Sequence, residues 1–481
     1  MSDDAAQKVV DAIVDRFKIR TQCSRQYDEK AKENLPGGST RAATYYLPYP
    51  VYMERGEGCF LYDVDGNAYL DFHNNYTSLI HGHAHPPTVK AAQEQLLKGT
   101  VRGAPSSLTV EHSSYLRSRM PSLELVRYCN SGTEATMFAI RAARAYTGKD
   151  IIIKADGAYH GTHDMVEVNV WADATNEVPV ARIESRGVPS NVLDTVAIVP
   201  FNDLAAVETA MNRHKGQVAA VIMEPLMNGA GEILALPGYL KGLRELCTRH
   251  RVLMILDEVV TFRLSTGGMQ MIEGIRADLT ALGKIIGGGF AVGAFGGRRD
   301  IMSIFDSTRP NSISHSGTFN GNEITLAAGL ATLACYDQPA IDRINRLGER
   351  LRQGLNMAFK TAGIVGQAIG MGSLATIHWR DGNIITGRDA ALGMSRAADL
   401  HKLLHLEMMN RGIFFPRRGQ MSISTPITEQ RVDRVIEEFA ATLEMLKPYV
   451  AEAAPHLLAD GDVADEVHLD GRYREVVYRS D

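Results

Sequence analysis

Residues Arg251–Arg298 read RVLMILDEVVTFRLSTGGMQMIEGIRADLTALGKIIGGGFAVGAFGGR. Val252 to Leu256 form an apolar run with the length of a buried parallel strand, and the run stops at an acid, Asp257. In open α/β sheets ligands gather at the carboxyl ends of strands, which puts Asp257 where chemistry is usually done. Downstream a single lysine, Lys284, is followed by two isoleucines and then Gly287, Gly288 and Gly289. Those glycines are expected to let the backbone bend tightly beneath a bulky planar ligand. An amine held in apolar surroundings resists protonation and so attacks aldehydes, which makes Lys284 a candidate Schiff-base lysine. Taken alone, Asp257 also fits a solvated strand-end carboxylate and Lys284 a surface charge beside a turn. The rest of the chain decides between these readings.

Working upstream, VAAVIMEPLMNGAGEI predicts a strand from Val218 to Met223 that delivers Glu224 to the same edge. The helical text PGYLKGLRELCTRH lies between that strand and the one ending at Asp257. Strand, helix, strand and acid at the exit argue for an α/β fold with a mostly parallel sheet and right-handed crossovers. In DIIIKADGAYHGTHD an apolar strand, Ile151 to Ile153, runs to Tyr159-His160-Gly161. An aromatic at a strand end can stack on a flat heteroaromatic ring, or it can pack into the protein's own core. In VRYCNSGTEATMFAIRAARAYTGKD a strand from Val126 to Cys129 meets a helix from Glu134 to Thr147, closed by Gly148. Ser131, Gly132 and Thr133 at that helix start gather N–H groups, hydroxyls and the positive dipole end into a phosphate cup. The same residues would also make an ordinary N-cap.

Farther out, residues 4–34 carry apolar positions at helical spacing and end at Pro36-Gly37-Gly38. Short strands and turns follow, with a hairpin at Asp65-Gly66 and Arg41 in the loop before them. His81, His83 and His85 alternate in a Gly- and Pro-rich loop without a nearby acidic or Cys partner, so turn and packing roles are expected rather than a metal site. Ser316-Gly317-Thr318 precede an apolar helix, as a second phosphate-binding turn or a cap. From about residue 340 an amphipathic helix and then short strands and helices suggest a smaller α+β lobe, with Arg417 and Arg418 on a turn into a strand. The expected organisation is residues 1–85 as an N-terminal part of the small lobe, 86–335 as the large domain, and 336–481 as the C-terminal part with a charged tail.

The chain has 481 residues, 45% hydrophobic and 22% charged, which suits a large core in an ordinary enzyme. A net charge of −5 with scattered basic residues gives no footprint for nucleic acid. Five cysteines without a CxxC pair point to a reduced, cytoplasmic setting. The acidic, amphipathic N-terminus is not a signal peptide, and no run of about eighteen apolar residues would span a bilayer.

One cofactor answers all the parts: an aldehyde for Lys284, a phosphate for the Gly132-Thr133 helix start, a flat ring for Tyr159 and a ring nitrogen for Asp257. Pyridoxal 5′-phosphate has all four. Asp257 would keep the pyridine nitrogen protonated, and Lys284 would carry a proton from the substrate carbon to the cofactor.

NSGTEA, YHG, MEP, LDEV, LGKIIGGG and SGTFNGN occur in the order and approximate spacing of class III, fold type I, PLP-dependent aminotransferases. The chain resembles that family from about Leu35 to about Ile436, and within it the branch of glutamate-1-semialdehyde aminomutase and the β-amino-acid (β-phenylalanine) aminotransferases. The resemblance implies a homodimer with shared active sites, in which Thr318 reaches the phosphate bound by the other subunit. It implies Val259 against the pyridine face opposite Tyr159, and Glu224 in the polar network beside the ring. Where the aminomutases have EPxxGN, this chain has Glu224-Pro225-Leu226-Met227-Asn228-Gly229, with the amide shifted by one position. Arg41 and Arg418 sit where the β-amino-acid branch carries arginines, and two guanidinium forks would serve an amino donor and a dicarboxylate acceptor in turn. The expected activity is transfer of an amino group from a β-amino acid or related carboxylated amine to 2-oxoglutarate or pyruvate. A glutamate-1-semialdehyde-type 2,1-aminomutase and an epimerase or racemase are the alternatives.

Overall fold

The computed structural model describes residues 5–459. Seven strands make the main sheet: β1 (Leu125–Cys129), β2 (Ile151–Ala155), β3 (Val196–Val199), β4 (Val218–Met223), β5 (Leu253–Asp257), β6 (Leu279–Gly283) and β7 (Gly293–Gly297). Their order across the sheet is β1-β7-β6-β5-β4-β2-β3, with β7 alone running against its neighbours. Every residue of β2, β4, β5 and β6 is buried. Helices cover both faces, so the strands read as unbroken apolar runs rather than alternating ones. The central strand starts and ends one residue later than its apolar text, because pairing with β6 continues through Asp257 opposite Ala281.

Strand β7, GAFGG, carries no strand signal of its own in the sequence, and the structure supplies the reason. A Cβ on Gly293 would lie 1.9 Å from the Ser131 carbonyl oxygen, and one on Gly297 would lie 2.1 Å from that of Asp278. Backbone approaches this close exclude any side chain, so the strand is written in glycine instead of valine.

The three glycines after Lys284 also meet close neighbours. A Cβ on Gly287 would meet Val292 Cγ1 at 2.5 Å, and one on Gly288 would meet the Ala328 carbonyl and Thr332 Oγ1 at 2.7 Å. Gly288 also has φ +61°. Gly287 and Gly288 thus seat the tight bend against the helix Glu323–Ala334, and a Cβ on Gly289, with φ +95°, would meet Leu79 at 2.9 Å.

The first and last parts of the chain are built together. Strand Ala68–Asp71 pairs in parallel with Ile413–Phe414, and antiparallel with Phe60–Asp63 across the Gly66 hairpin. The helix Ala5–Arg20 packs on the helices Ala398–Asn410 and Glu429–Ala453. Its Ala6 N–H donates to Glu452 at 3.0 Å, and its Ile13 carbonyl accepts from Asn410 at 3.0 Å. Between these elements Asn74, Asn75, Tyr76 and Thr77 all have positive φ, a left-handed turn of four non-glycine residues. Asn74 anchors the turn by donating to the Ser422 carbonyl at 2.8 Å, and Asp71 accepts from the N–H groups of His73 and Asn74. The charged tail after Ala459 lies outside the described residues.

Candidate active site

Lys284 and Asp257 leave the same edge of the sheet from neighbouring parallel strands, Asp257 as the last residue of β5 and Lys284 as the first after β6. Lys284 has φ +51°, a left-handed conformation that a lysine adopts at a cost of about 1 kcal/mol or more and that turns it sharply off the strand. Burial pushes its amine below the ordinary lysine range, while Asp257, Glu224 and Glu232 pull it back up and Arg263 adds to the fall. Burial thus makes the amine easier to deprotonate than an exposed lysine.

Asp257 is only 6% exposed and is held from two sides. His160 Nδ1 lies 2.9 Å from Oδ2, and the Val259 N–H donates to Oδ1 at 3.2 Å. With the carboxylate ionised, His160 Nδ1 is the donor. Burial lowers the His160 pKa although Asp257 opposes that shift, and its Nε2 is buried with no partner. Sequence reasoning passed over His160. The only signal was its place in Tyr159-His160-Gly161 at the exit of β2, beside the residue already singled out.

Glu224, at the exit of β4, accepts the Tyr159 N–H at 2.9 Å, the Asn228 N–H at 3.2 Å and the Gly229 N–H at 3.4 Å. Burial, with Asp257 beside it, pushes its carboxyl up to about 8. Asn228 Nδ2 donates to Glu232 Oε1 at 2.5 Å, so the shifted amide is bonded to an acid of its own loop. Glu232 is buried, its Oε2 is unpartnered, and burial pushes its carboxyl up to about 7. Sequence reasoning did not single out Glu232. A lone Glu after Gly in a loop carries no signal until its burial is known.

At the start of the helix Gly132–Thr147, the Ser131 hydroxyl accepts the Glu134 N–H at 3.1 Å, which is an N-cap. The cap leaves Gly132 and Thr133 in the first turn. The loop after Tyr159 closes over them, since a Cβ on Gly161 would lie 2.6 Å from Thr133 Oγ1 and Cα. Val259 lies against the same turn, 3.2 Å from where a Gly132 Cβ would be and 3.3 Å from a Gly283 Cβ. Ser131, Gly132, Thr133, Tyr159, Glu224, Asp257, Val259 and Lys284 thus converge at one edge of the sheet. Tyr159 keeps 44% of its surface exposed, so its ring is not consumed by the core.

Three predicted residues lie farther out. The Arg41 guanidinium donates to Asn75 Oδ1 at 3.0 Å and sits 5.9 Å from the Tyr76 ring centroid. That of Arg418 lies 3.7 Å from the Trp171 ring centroid. Arg41 thus flanks Tyr76, and the charges of both arginines oppose the rise that burial imposes on its phenol. Thr318 is exposed on a turn whose Asn320 accepts from Asn130 Nδ2 at 3.0 Å, next to the capped helix start. The histidines near residue 83 are engaged elsewhere. His81 contacts Thr425 and the Thr332 carbonyl, His83 lies 2.7 Å from Asp71, and His85 contacts Thr88.

Residues 42–442 match the model of the class III aminotransferases. Glutamate-1-semialdehyde 2,1-aminomutase of Methanothrix thermoacetophila is 38% identical over 425 residues, 88% of this chain and 96% of its own length. An omega-transaminase from Sphaerobacter thermophilus superposes with a TM-score of 0.84 at 40% identity, over 88% of this chain and 97% of that one. A β-phenylalanine aminotransferase from Variovorax paradoxus superposes with a TM-score of 0.82 at 32% identity, over 91% and 97% respectively. The residues present suit the cofactor of such enzymes. Three buried carboxyls, two of them pushed toward neutrality, share the edge with a lysine whose own charge is disfavoured. Beside so many carboxyls a protonated heterocycle would find its charge compensated. A helix start with free first-turn N–H groups stands beside it for a phosphate.

Proposed function

The chain belongs to the class III aminotransferases, and on that premise we propose that it moves an amino group from a β-amino acid, or a related carboxylated amine, to an oxo-acid such as 2-oxoglutarate or pyruvate. The family's cofactor is pyridoxal 5′-phosphate, and a 36% identical transaminase structure has PLP bound. When bound, that group supplies an electron sink for the substrate carbon that gives up its proton. In this reading the chain's own residues do the rest. Lys284 Nζ, whose positive charge burial disfavours, would take the proton from that carbon and deliver it to the cofactor. Asp257, steadied by His160 and the Val259 N–H, holds a proton on the ring nitrogen. Gly132, Thr133 and Ser131 hold the phosphate, Tyr159 and Val259 bracket the ring, and Thr318 completes the phosphate site of a second subunit in a homodimer. Arg41 and Arg418 take substrate carboxylates.

The observation that carries the substrate class is the pair of guanidinium groups on aromatic rings, Arg41 beside Tyr76 and Arg418 over Trp171. Two forks at one mouth suit two carboxylated substrates bound in turn, each bidentate contact adding geometry as well as energy. Incubating the holoenzyme with 3-amino-3-phenylpropanoate and 2-oxoglutarate should produce glutamate. No transfer to 2-oxoglutarate or pyruvate from any of a panel of β-amino acids would sink the proposal.

A second reading, the 2,1-aminomutase, is favoured by relatives of that name that are 36–40% identical over most of the chain. It predicts isomerisation of glutamate 1-semialdehyde without any oxo-acid. The position of the loop amide speaks against it, because Asn228 is committed to Glu232.

A further inference from the structure

The two arginines at the mouth are held differently. Arg41 meets an amide oxygen, whereas Arg418 lies with its guanidinium carbon 3.7 Å from the centre of the Trp171 ring, a face-on contact. A guanidinium stacked by its face keeps its N–H edge in the plane where a carboxylate binds bidentately. Stacking therefore fixes the plane of the fork without competing for its donors.

Trp171 is built to stay where it is. It lies in irregular chain after β2, and that stretch is tied down from inside the protein. Lys154, fully buried on β2, donates to the carbonyls of Val168 at 2.6 Å and Asn169 at 3.2 Å. Asn169, itself left-handed with φ +47°, donates to Asp156 at 2.7 Å and to the Val180 carbonyl at 3.1 Å. It also accepts the Arg182 N–H at 2.8 Å. The backbone of Trp171 is clamped on both sides, its N–H donating to Glu184 at 3.3 Å and its carbonyl accepting from Arg182. A buried lysine, a strained asparagine and an Arg–Glu pair thus support one indole. The same strand that carries Lys154 leads to Tyr159, so the ledge and the ring-stacking tyrosine share a root. Both partners of the stack stand beside the site: Ala172, next to Trp171, lies 3.1 Å from where a Gly157 Cβ would be, in the turn that leads to Tyr159, and Gln420, two residues after Arg418, donates to the Asn228 carbonyl at 2.7 Å.

We propose that Trp171 is a specificity-determining positioning residue: it holds Arg418 by the face so that the fork is prearranged for the distal carboxylate of a dicarboxylate acceptor. This inference rests on the transaminase reading above and narrows it to 2-oxoglutarate over pyruvate. Pyruvate has no second carboxylate, so it gains nothing from a fork held in that plane.

The test is calorimetric titration of the PLP-loaded enzyme with glutarate, an unreactive dicarboxylate, and with propionate as the monocarboxylate control. Trp171→Ala should raise the Kd for glutarate on the order of tenfold and leave propionate unchanged, and Trp171→Phe should restore most of the loss. Wild-type affinity for glutarate in Trp171→Ala overturns the proposal, as do equal losses for both ligands, failure of Phe to rescue, or a wild-type enzyme that does not bind glutarate. Amino transfer by the wild type to 2-oxoglutarate is assayed in parallel. Its absence would defeat the transaminase reading while leaving the titration result for Trp171 to stand or fall on its own.

Discussion

The floor of the site and its rim are built on opposite plans. At the floor, Asp257, Glu224, Tyr159 and Lys284 stand at or just beyond the ends of adjacent strands, and their positions follow from sheet register. There Tyr159 is bonded to Glu224, and its neighbour His160 to Asp257. At the rim, Arg41, Arg418, Trp171 and Thr318 come from loops far apart in the chain, and Arg418 reaches Trp171 only through the tip of a long side chain. A strand end fixes a carboxyl to a fraction of an ångström, whereas a loop-borne guanidinium is placed only as well as its supports hold it. The floor is therefore the part suited to one conserved chemistry, and the rim the part suited to choosing substrates.

If that division is right, changes at the floor cost turnover and changes at the rim cost affinity. The largest effect belongs to Lys284→Ala, which should lower turnover about 10⁴-fold or more. Borohydride should no longer fix the cofactor to the chain, and mass spectrometry showing it still fixed would move the attachment to another residue. Asp257→Asn comes next, with turnover reduced about 10²- to 10³-fold and the cofactor retained, because the charge that keeps the ring nitrogen protonated is gone. Near-normal turnover would remove Asp257 from that role. For Arg418→Ala the KM for 2-oxoglutarate should rise about 10- to 100-fold while the donor half-reaction, followed by cofactor absorbance, is unchanged. A fall in the donor half-reaction as well would erase the distinction between floor and rim.

The smallest effect is one of stability. Glu224, pushed up to about 8, keeps a proton in the folded state that the unfolded chain releases near its ordinary value of 4.5. The folded state then binds more protons between those values, so stability falls as pH rises through that window. Thermal denaturation of the apoenzyme from about pH 5 to about pH 8 should show a drop in Tm that Glu224→Gln reduces by a few degrees. Equal slopes for the two proteins would show that Glu224 is already ionised in the folded state.

The same division sorts what the sequence makes visible. The apolar runs ending at Met223 and near Leu256 announce buried strands, and the acids after them announce the active edge, because burial on both faces leaves a continuous signature. The strand Gly293–Gly297 leaves no such trace, since backbone contacts at 1.9 Å and 2.1 Å from a virtual Cβ select glycine over any strand former. The glycines after Lys284 announce a tight bend, but the packing of Gly287 and Gly288 on the helix Glu323–Ala334 is something no local pattern reveals. His160 and Glu232 were hidden because their importance lies in partners distant in sequence, Asp257 and the Lys284 neighbourhood. The Trp171–Arg418 stack joins positions 171 and 418, and only the folded chain brings an indole and a guanidinium that far apart into register.

The lobe shared by the first and last helices has a bearing on how the protein is made. Ala6 bonds to Glu452, and the strand Ala68–Asp71 waits for Ile413–Phe414. A chain emerging from the ribosome can assemble β1 through β7 while its opening segment still lacks a mate, since domains tend to fold as units during synthesis. Arg41 is translated early and Arg418 late, so the pair that would grip substrate comes into being only after the final helix has docked.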